Sequence, residues 1–131
     1  MPAKNEPKTS GRFAYEGLER VIHEKARLSI MASLAAHRDG LLFNDLKELC
    51  ALTDGNLSRH LQMLTDSKLV EVWKGYKNNR PQTLCRLSRE GRKRFLEYIE
   101  TLERVIADAA DAAETARAPS PKGLLKGFSP A

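Results

Sequence analysis

A chain of 131 residues with 41% hydrophobic and 30% charged residues fits one small folded domain with a well-solvated surface. Its net charge of +5 leans towards polyanionic partners. The sequence has neither an apolar run of about 18 residues nor a secretory signal pattern, which argues against a membrane-spanning protein and predicts a cytoplasmic one.

The first part of the chain is predicted to be a disordered arm over residues 1–11, followed by a folded domain over residues 12–116. Apolar residues at helical spacing indicate helical structure from about Phe13 to His37, with a break near His23. The glycine at position 40 is placed to end that region.

A second, short helix is predicted to follow residues 41–43, which can form no more than a fragment of a strand. Its predicted cap is Asn44, and three of its residues are predicted to face inward: Leu46, Leu49 and Cys50. Cys50 and Cys85 belong to no CxxC or Cys/His cluster. They are predicted to be buried free thiols, with a single disulfide as the alternative.

The stretch 52–64 predicts a helix with one apolar face and one face suited to DNA. Leu57, Leu61 and Leu64 recur at i, i+4 and i+7, and Thr53 can cap the first turn. The other face carries a small residue, two amides and a guanidinium: Gly55, Asn56, Arg59 and Gln62. Because amides pair with adenine and guanidinium with guanine, this helix is predicted to lie in a major groove. An ordinary amphipathic surface helix is the alternative for this stretch alone.

A β-hairpin with a basic connection is predicted next. The two preceding helices and this hairpin together predict a winged helix-turn-helix. Residues 68–74 alternate and are rich in β-branched side chains, and residues 83–87 can pair with them. The connection 75–82 is predicted to be an extended, mobile loop, too long for a two-residue turn. The residues that this wing would bring to DNA are Lys74, Lys77, Asn78, Asn79 and Arg80.

A long last helix is predicted from about residue 88 to residue 116, capped by Ser88. Residues 68–94 carry a net charge of +7 and residues 95–114 a net charge of −5, which suits a basic hairpin on phosphate and an acidic helix that points away. Apolar residues repeat along it at alternating spacings of three and four: Phe95, Tyr98, Leu102, Val105, Ala109 and Ala112. This heptad stripe predicts dimerisation on a second copy, with packing against residues 13–34 as the alternative. Residues 117–131 are predicted to be a disordered tail.

Four segments in order resemble one group of proteins: residues 22–31, 43–49, 52–61 and 86–92. They are similar to the winged-helix regulators related to the MarR and ArsR groups, and most of all to the winged helix DNA-binding domain subfamily. The resemblance implies a homodimeric transcriptional regulator with one winged helix per protomer. The chain departs at Lys25, where relatives often carry proline, and at Cys85, where an aromatic residue is common. The cysteine-rich motif of ArsR metal sensors is absent, so no metal effector is predicted.

The sequence therefore predicts a regulator that binds specific double-stranded DNA sequences as a homodimer. In this hypothesis three residues read base edges: Asn56, Arg59 and Gln62. Three more lie near the phosphate backbone: Thr53, Gly55 and Ser58. The wing contacts the flanking backbone or the minor groove. His60, at the edge of the apolar stripe, is predicted to be packed and hydrogen-bonded.

The alternative function is a protein-interaction module whose basic wing binds an acidic partner. An enzyme is not predicted, because the sequence contains no paired carboxylates, no nucleophile with a base and no glycine-rich phosphate loop. No cofactor, metal or membrane is predicted as a partner, and no particular small-molecule effector is indicated.

Overall fold

The computed structural model describes residues 11–116 and 126–131. Within these residues the elements follow in the order α1 (Lys25–Ala36), β1 (Leu41–Leu42), α2 (Phe43–Cys50), α3 (Asp54–Asp66), β2 (Val70–Lys77), β3 (Arg80–Leu87) and α4 (Arg89–Ala116). The strands form one antiparallel sheet in the order β1-β3-β2. The predicted fold class is confirmed: a mainly α winged helix with a small sheet and a long last helix. Most of the predicted disordered arm and tail lies outside the described residues.

The segment from residue 11 to residue 24 forms turns and bends, so the helix expected from Phe13 is wrong for this part of the chain. Gly17 has a φ of 100°, a left-handed conformation that an α-helix does not continue through. The helix α1 begins only after Glu24, whose carboxylate accepts a hydrogen bond from the backbone N–H of Arg27 at 2.9 Å. The cap therefore sets the start of α1.

This amino-terminal segment packs along α4 instead of forming a helix of its own. The Tyr15 hydroxyl donates to Oδ2 of Asp108 at 2.7 Å, and Nδ1 of His23 lies 2.7 Å from the Tyr98 hydroxyl. Ile22, between these two contacts, is fully buried. Leu18, Val21 and Ile22 are thus used in tertiary packing, whereas Phe13 is 57% exposed.

A bidentate ion pair also ties the segment to α4. Nε of Arg94 donates to Oε2 of Glu19 at 2.9 Å, and Nη2 of the same guanidinium donates to Oε1. The Arg94 hydrogen bonds lower the pKa of Glu19 below its ordinary value of 4.5. A carboxyl whose pKa is lowered by folding stabilises the fold above its unfolded pKa, and that stabilisation is lost as the pH falls through the folded pKa.

We therefore expect Glu19→Gln to be less stable than the wild type at about pH 7, with the difference shrinking as the pH falls below about 4.5. Urea denaturation of both proteins across this pH range measures the difference. In an Arg94→Gln background the same change should have little effect. A difference that stays constant with pH would show that the ion pair does not carry the effect.

The helix α2 is rotated relative to its prediction. Asn44 is not the cap, because the chain leaves β1 at Leu42 and Phe43 is already helical. Leu49 does not face inward, since 58% of it is exposed. The side of α2 that packs against the rest of the chain is formed by Phe43, Leu46 and Cys50. On a helix with 3.6 residues per turn, Phe43, Leu46 and Cys50 fall within a narrower face than the predicted set of Leu46, Leu49 and Cys50.

The hairpin of β2 and β3 ends in a two-residue turn, so the predicted long mobile loop is wrong. Asn78 and Asn79 have φ values of 53° and 63°, and Lys77 pairs directly with Arg80. Positive φ at both central residues is the type I′ turn, which matches the twist of antiparallel strands. Asparagine tolerates this conformation better than most residues, so both strands continue almost to the tip.

The core is formed by α1, α2, α3, the base of the hairpin and the first half of α4, together with Ile22 of the amino-terminal segment. Leu57, Leu61 and Leu64 of α3 are buried, as predicted. Phe95 and Tyr98 are also buried within this one chain, with 8% and 1% exposed. The expectation that the whole heptad stripe would be uncovered in a single copy is therefore wrong for these two residues. Farther along the stripe, Leu102 and Val105 are half-buried, and the two alanines at 109 and 112 are exposed.

The start of α4 is locked against the base of the hairpin. The Ser88 hydroxyl accepts from the backbone N–H of Gly91 at 2.8 Å, which confirms the predicted cap. A Cβ at Gly91 would overlap the carbonyl oxygen of Leu69, so only glycine allows this close approach.

Cys50 and Cys85 are free thiols, and burial raises the pKa of Cys85 to about 11. None of the described helices is long and apolar enough to cross a membrane.

Candidate nucleic-acid interface

The helix α3 is fixed at its start and along one side. Thr53 caps it, because its hydroxyl accepts from the backbone N–H of Asn56 at 3.1 Å. Asp54 forms an ion pair with Lys47 of α2 at 2.8 Å, which joins the two helices across the tight turn. With its leucines buried, the helix can present its opposite side in one orientation.

That opposite side is exposed and polar. Gly55, Asn56, Ser58, Arg59 and Gln62 are all exposed, as the sequence predicted for a face turned to solvent. Within the described part of the chain, Arg59 makes no hydrogen bond or ion pair, whereas Nε2 of Gln62 donates to Oδ1 of Asp66 at 2.9 Å. A Cβ at Gly55 would meet nothing within 4 Å, so the fold itself does not require glycine there.

A groove separates α3 from the hairpin. Its volume is about 440 Å³, and Ser58 and Gln62 line one side while Lys74 and Thr83 line the other. The register pairs Lys74 with Thr83, so both side chains lie on the same face of the sheet, towards α3. The groove thus has hydroxyl, amide and ammonium groups along its walls, with Leu61 and Val72 beneath them.

The tip of the hairpin carries the basic residues of the predicted wing. Lys77 and Arg80 flank the turn, and both are exposed together with the two asparagines between them. Tyr76, beside them, is 78% exposed and was not among the predicted contact residues. The extension of β2 to the tip is what brings it there, and its hydroxyl could donate to phosphate.

Two buried polar side chains, Arg27 and His60, form a contact behind α3 that we call the polar brace. It lies on the side away from the exposed face. His60 and Arg27 are only 8% and 9% exposed, and Nη1 of Arg27 lies 3.3 Å from Nδ1 of His60. Nε of Arg27 donates to the carbonyl oxygen of Val21 at 2.6 Å, and the Glu24 carboxylate lies 4.0 Å from His60. The prediction of a packed, hydrogen-bonded histidine is confirmed. The role of Arg27 was missed, because an arginine among helical residues normally indicates a solvated face.

The arrangement suits the binding of a polyanion. Hydrogen-bond donors and cations line an exposed helix face, a groove and a basic tip, which is the pattern of a surface for a polyanion. Among the described residues, no three His, Cys, Asp or Glu side chains are grouped so that they could hold a metal ion.

Comparison with known sequences gives the same picture. Residues 26–106 match the protein family described as the winged helix DNA-binding domain. An uncharacterized protein of Methanocaldococcus jannaschii is 35% identical over 80 residues, which covers 61% of this chain and 86% of that protein. The family match includes both the helix-turn-helix and the hairpin.

Comparison with solved structures identifies related folds. A transcriptional regulator homologue from Pyrococcus horikoshii OT3 has a TM-score of 0.65 at 26% identity, covering 70% of this chain and 89% of that one. The S. aureus MepR–DNA complex has a TM-score of 0.60 at 20% identity, covering 77% and 82%. A MarR family transcriptional regulator from Silicibacter pomeroyi DSS has a TM-score of 0.53 at 21% identity, covering 80% and 59%. At such low identities the last two share the fold alone.

Proposed function

Because the chain belongs to the winged helix DNA-binding domain family, we propose that it is a homodimeric transcriptional regulator that binds specific sequences of double-stranded DNA. The family and the fold are those of DNA-binding domains of transcriptional regulators, which are not enzymes. The observation that carries the proposal is the exposed polar face of α3, held by a cap and a buried leucine stripe beside a basic hairpin.

In this proposal α3 enters the major groove. Asn56, Arg59 and Gln62 contact base edges, since amide and guanidinium groups can make the bidentate contacts that distinguish base pairs. The guanidinium of Arg59 has no partner among the described residues. The Gln62 amide donates to Asp66 and still has a second N–H and its oxygen for a base. Three smaller residues would lie near the phosphates: Thr53, Gly55 and Ser58.

The groove and the wing extend this surface along the duplex. Lys74 would face the phosphates between α3 and the hairpin, and the tip would contact the flanking backbone or the minor groove through Lys77, Asn78, Asn79 and Arg80. One protein with this fold, MepR of S. aureus, has been solved in complex with DNA, which supports a DNA partner here by analogy of fold.

A homodimer is proposed because α4 retains large apolar residues on its surface. Leu96 and Ile106 are each 61% exposed, and the last turns of α4 extend beyond the packed core. Two copies related by a twofold axis would carry two α3 helices to two half-sites. The DNA site would then be an inverted repeat with half-site centres about 10–10.5 base pairs apart, or a multiple of that.

Selection of bound duplexes from a random pool tests the proposal. We expect enrichment of one motif with twofold symmetry, because each protomer reads one half-site. A variant with Asn56, Arg59 and Gln62 all changed to alanine is the control. All three side chains are exposed, so it should fold normally but enrich no motif. If the wild type retains no duplex even at low salt, a protein-interaction module with an acidic partner becomes the better explanation.

A further inference from the structure

The two ends of α4 differ in charge and in surroundings. Its first turns carry cations and are packed on the domain through residues such as Gly91 and Phe95. Its later turns carry Asp108, which pairs with Arg12 at 2.9 Å, and then Asp111, and every residue from 109 to 116 is exposed. One helix thus has a supported basic end and an acidic end that leaves the domain.

The basic end of α4 forms one wall of an open groove. Arg38, in the turn between α1 and β1, faces it, and the groove has a volume of about 400 Å³. The remaining lining residues come from α4 itself: Arg89, Arg92, Lys93 and Leu96. None of the four cations forms an ion pair with another described residue. Four unpaired cations around an exposed leucine suit an acidic, amphipathic helix as the ligand.

The acidic end of α4 is a matching ligand. Ile106 is 61% exposed, and Asp111 is exposed farther along the same helix. A helical extension whose residues are exposed gains little stability from tertiary packing, which supplies most helical stability in proteins. This end therefore offers an apolar residue and a carboxylate, whereas the groove offers an apolar residue and cations.

We propose that this groove binds the acidic last turns of α4 from a second copy of the chain, with the two α4 helices antiparallel. The proposal rests on the homodimer of the proposed function. A twofold axis makes the contact reciprocal, so that each copy supplies one acidic end and one groove. A parallel pair is disfavoured, because it would bring Lys93 near Lys93 and Asp111 near Asp111.

The contact face differs from the one that the heptad stripe predicted. Phe95 and Tyr98 are committed to the core of their own chain, so the second copy meets the neighbouring side of α4. On that side Leu96 of one copy approaches Ile106 of the other, while Lys93 approaches Asp111. The apolar pair excludes water, and the charged pairs set the direction of the helices.

A charge swap tests the antiparallel contact in the full-length protein without DNA. Lys93→Asp and Asp111→Lys are each expected to raise the dimer dissociation constant about tenfold, because each reverses one charge at both symmetric contacts. The double variant should return to within about threefold of the wild type, since the pairs are restored with opposite polarity. Sedimentation equilibrium measures all three constants. Lys25→Asp makes the same charge change at an exposed site on α1 and should leave the constant unchanged.

The possible outcomes separate this inference from the function that it rests on. Losses that add up in the double variant, or single variants that dimerise like the wild type, overturn the antiparallel contact and leave the homodimer standing. A wild type that is monomeric at micromolar concentration overturns both. In either case, enrichment of a DNA motif in the selection experiment shows independently whether the chain reads DNA.

Discussion

Replacing Leu61 with alanine is expected to lower the free energy of unfolding by about 2–5 kcal/mol. Leu61 is 6% exposed and packs into the core from the middle of α3, so the change removes buried apolar surface and leaves a cavity. Urea denaturation monitored by circular dichroism gives the difference. If the native fold remains the same, the midpoint of unfolding should shift to a lower urea concentration. The dependence of the unfolding free energy on urea concentration should stay nearly unchanged.

Leu49→Ala is the matched control for this experiment. It deletes the same atoms from a leucine of the preceding helix that is 58% exposed, so its effect should stay within about 0.5 kcal/mol. Equal losses in the two variants would mean that the inner and outer faces are wrongly assigned. The choice of base-reading residues on α3 would then be wrong as well, because it depends on the same rotation of the helix.

The second large effect is a loss of sequence discrimination in Arg59→Ala. We expect it to cost about 1–3 kcal/mol of binding free energy on the preferred duplex and little on mixed-sequence DNA. The guanidinium is exposed on the outer face of α3, and none of the described residues holds it, so it is available to a base edge. Competition binding on both duplexes measures the difference.

Lys77→Ala is the matched comparison, because it removes one cation from the wing rather than from α3. It should weaken binding to both duplexes by similar factors, since a phosphate contact carries no sequence information. It should also flatten the plot of log affinity against log salt by about one unit per lost phosphate contact, counted over both protomers. If Arg59→Ala loses equally on both duplexes while Lys77→Ala loses only on the specific one, the two roles are reversed.

The recognition helix could be predicted from the sequence because its signals are local. A threonine cap and leucines at i, i+4 and i+7 need no knowledge of the rest of the chain, and the structure confirms both. The same holds for the cap at Ser88 and for the long helix that follows it. Arg59 and Gln62 could be singled out as surface residues because they lie opposite the leucines.

The wing was predicted in outline but not in shape. Alternating β-branched residues indicated both strands, whereas the length of the connection depended on whether Asn78 and Asn79 would adopt left-handed conformations. Asparagine favours that conformation without requiring it, so the sequence alone allowed a tight turn or a longer loop. The pairing of Lys77 with Arg80, which sets the basic tip, follows only from the folded hairpin.

Residues 11–24 show most clearly where local pattern fails. Their apolar spacing resembles a helix, yet Ile22 is buried against other elements and Glu19 is paired with an arginine far along the chain. The brace between Arg27 and His60 is likewise a contact between two helices that no local spacing reveals. Contacts between distant residues decided these features. A periodic pattern predicts which residues of a segment are buried, but it does not predict which other elements of the chain cover them.

The sequence by itself determined the order of the elements from α1 onwards, the buried face of α3 and the uneven charge along α4, because caps, periodicity and charge are properties of neighbouring residues. Only the tertiary structure decided which side of α4 stays uncovered. The amino-terminal segment and the core take up Tyr98 and Phe95, so Leu96 and Ile106 remain on the surface. A heptad stripe on one helix cannot distinguish burial within a chain from burial between chains, since both remove the same apolar area from water.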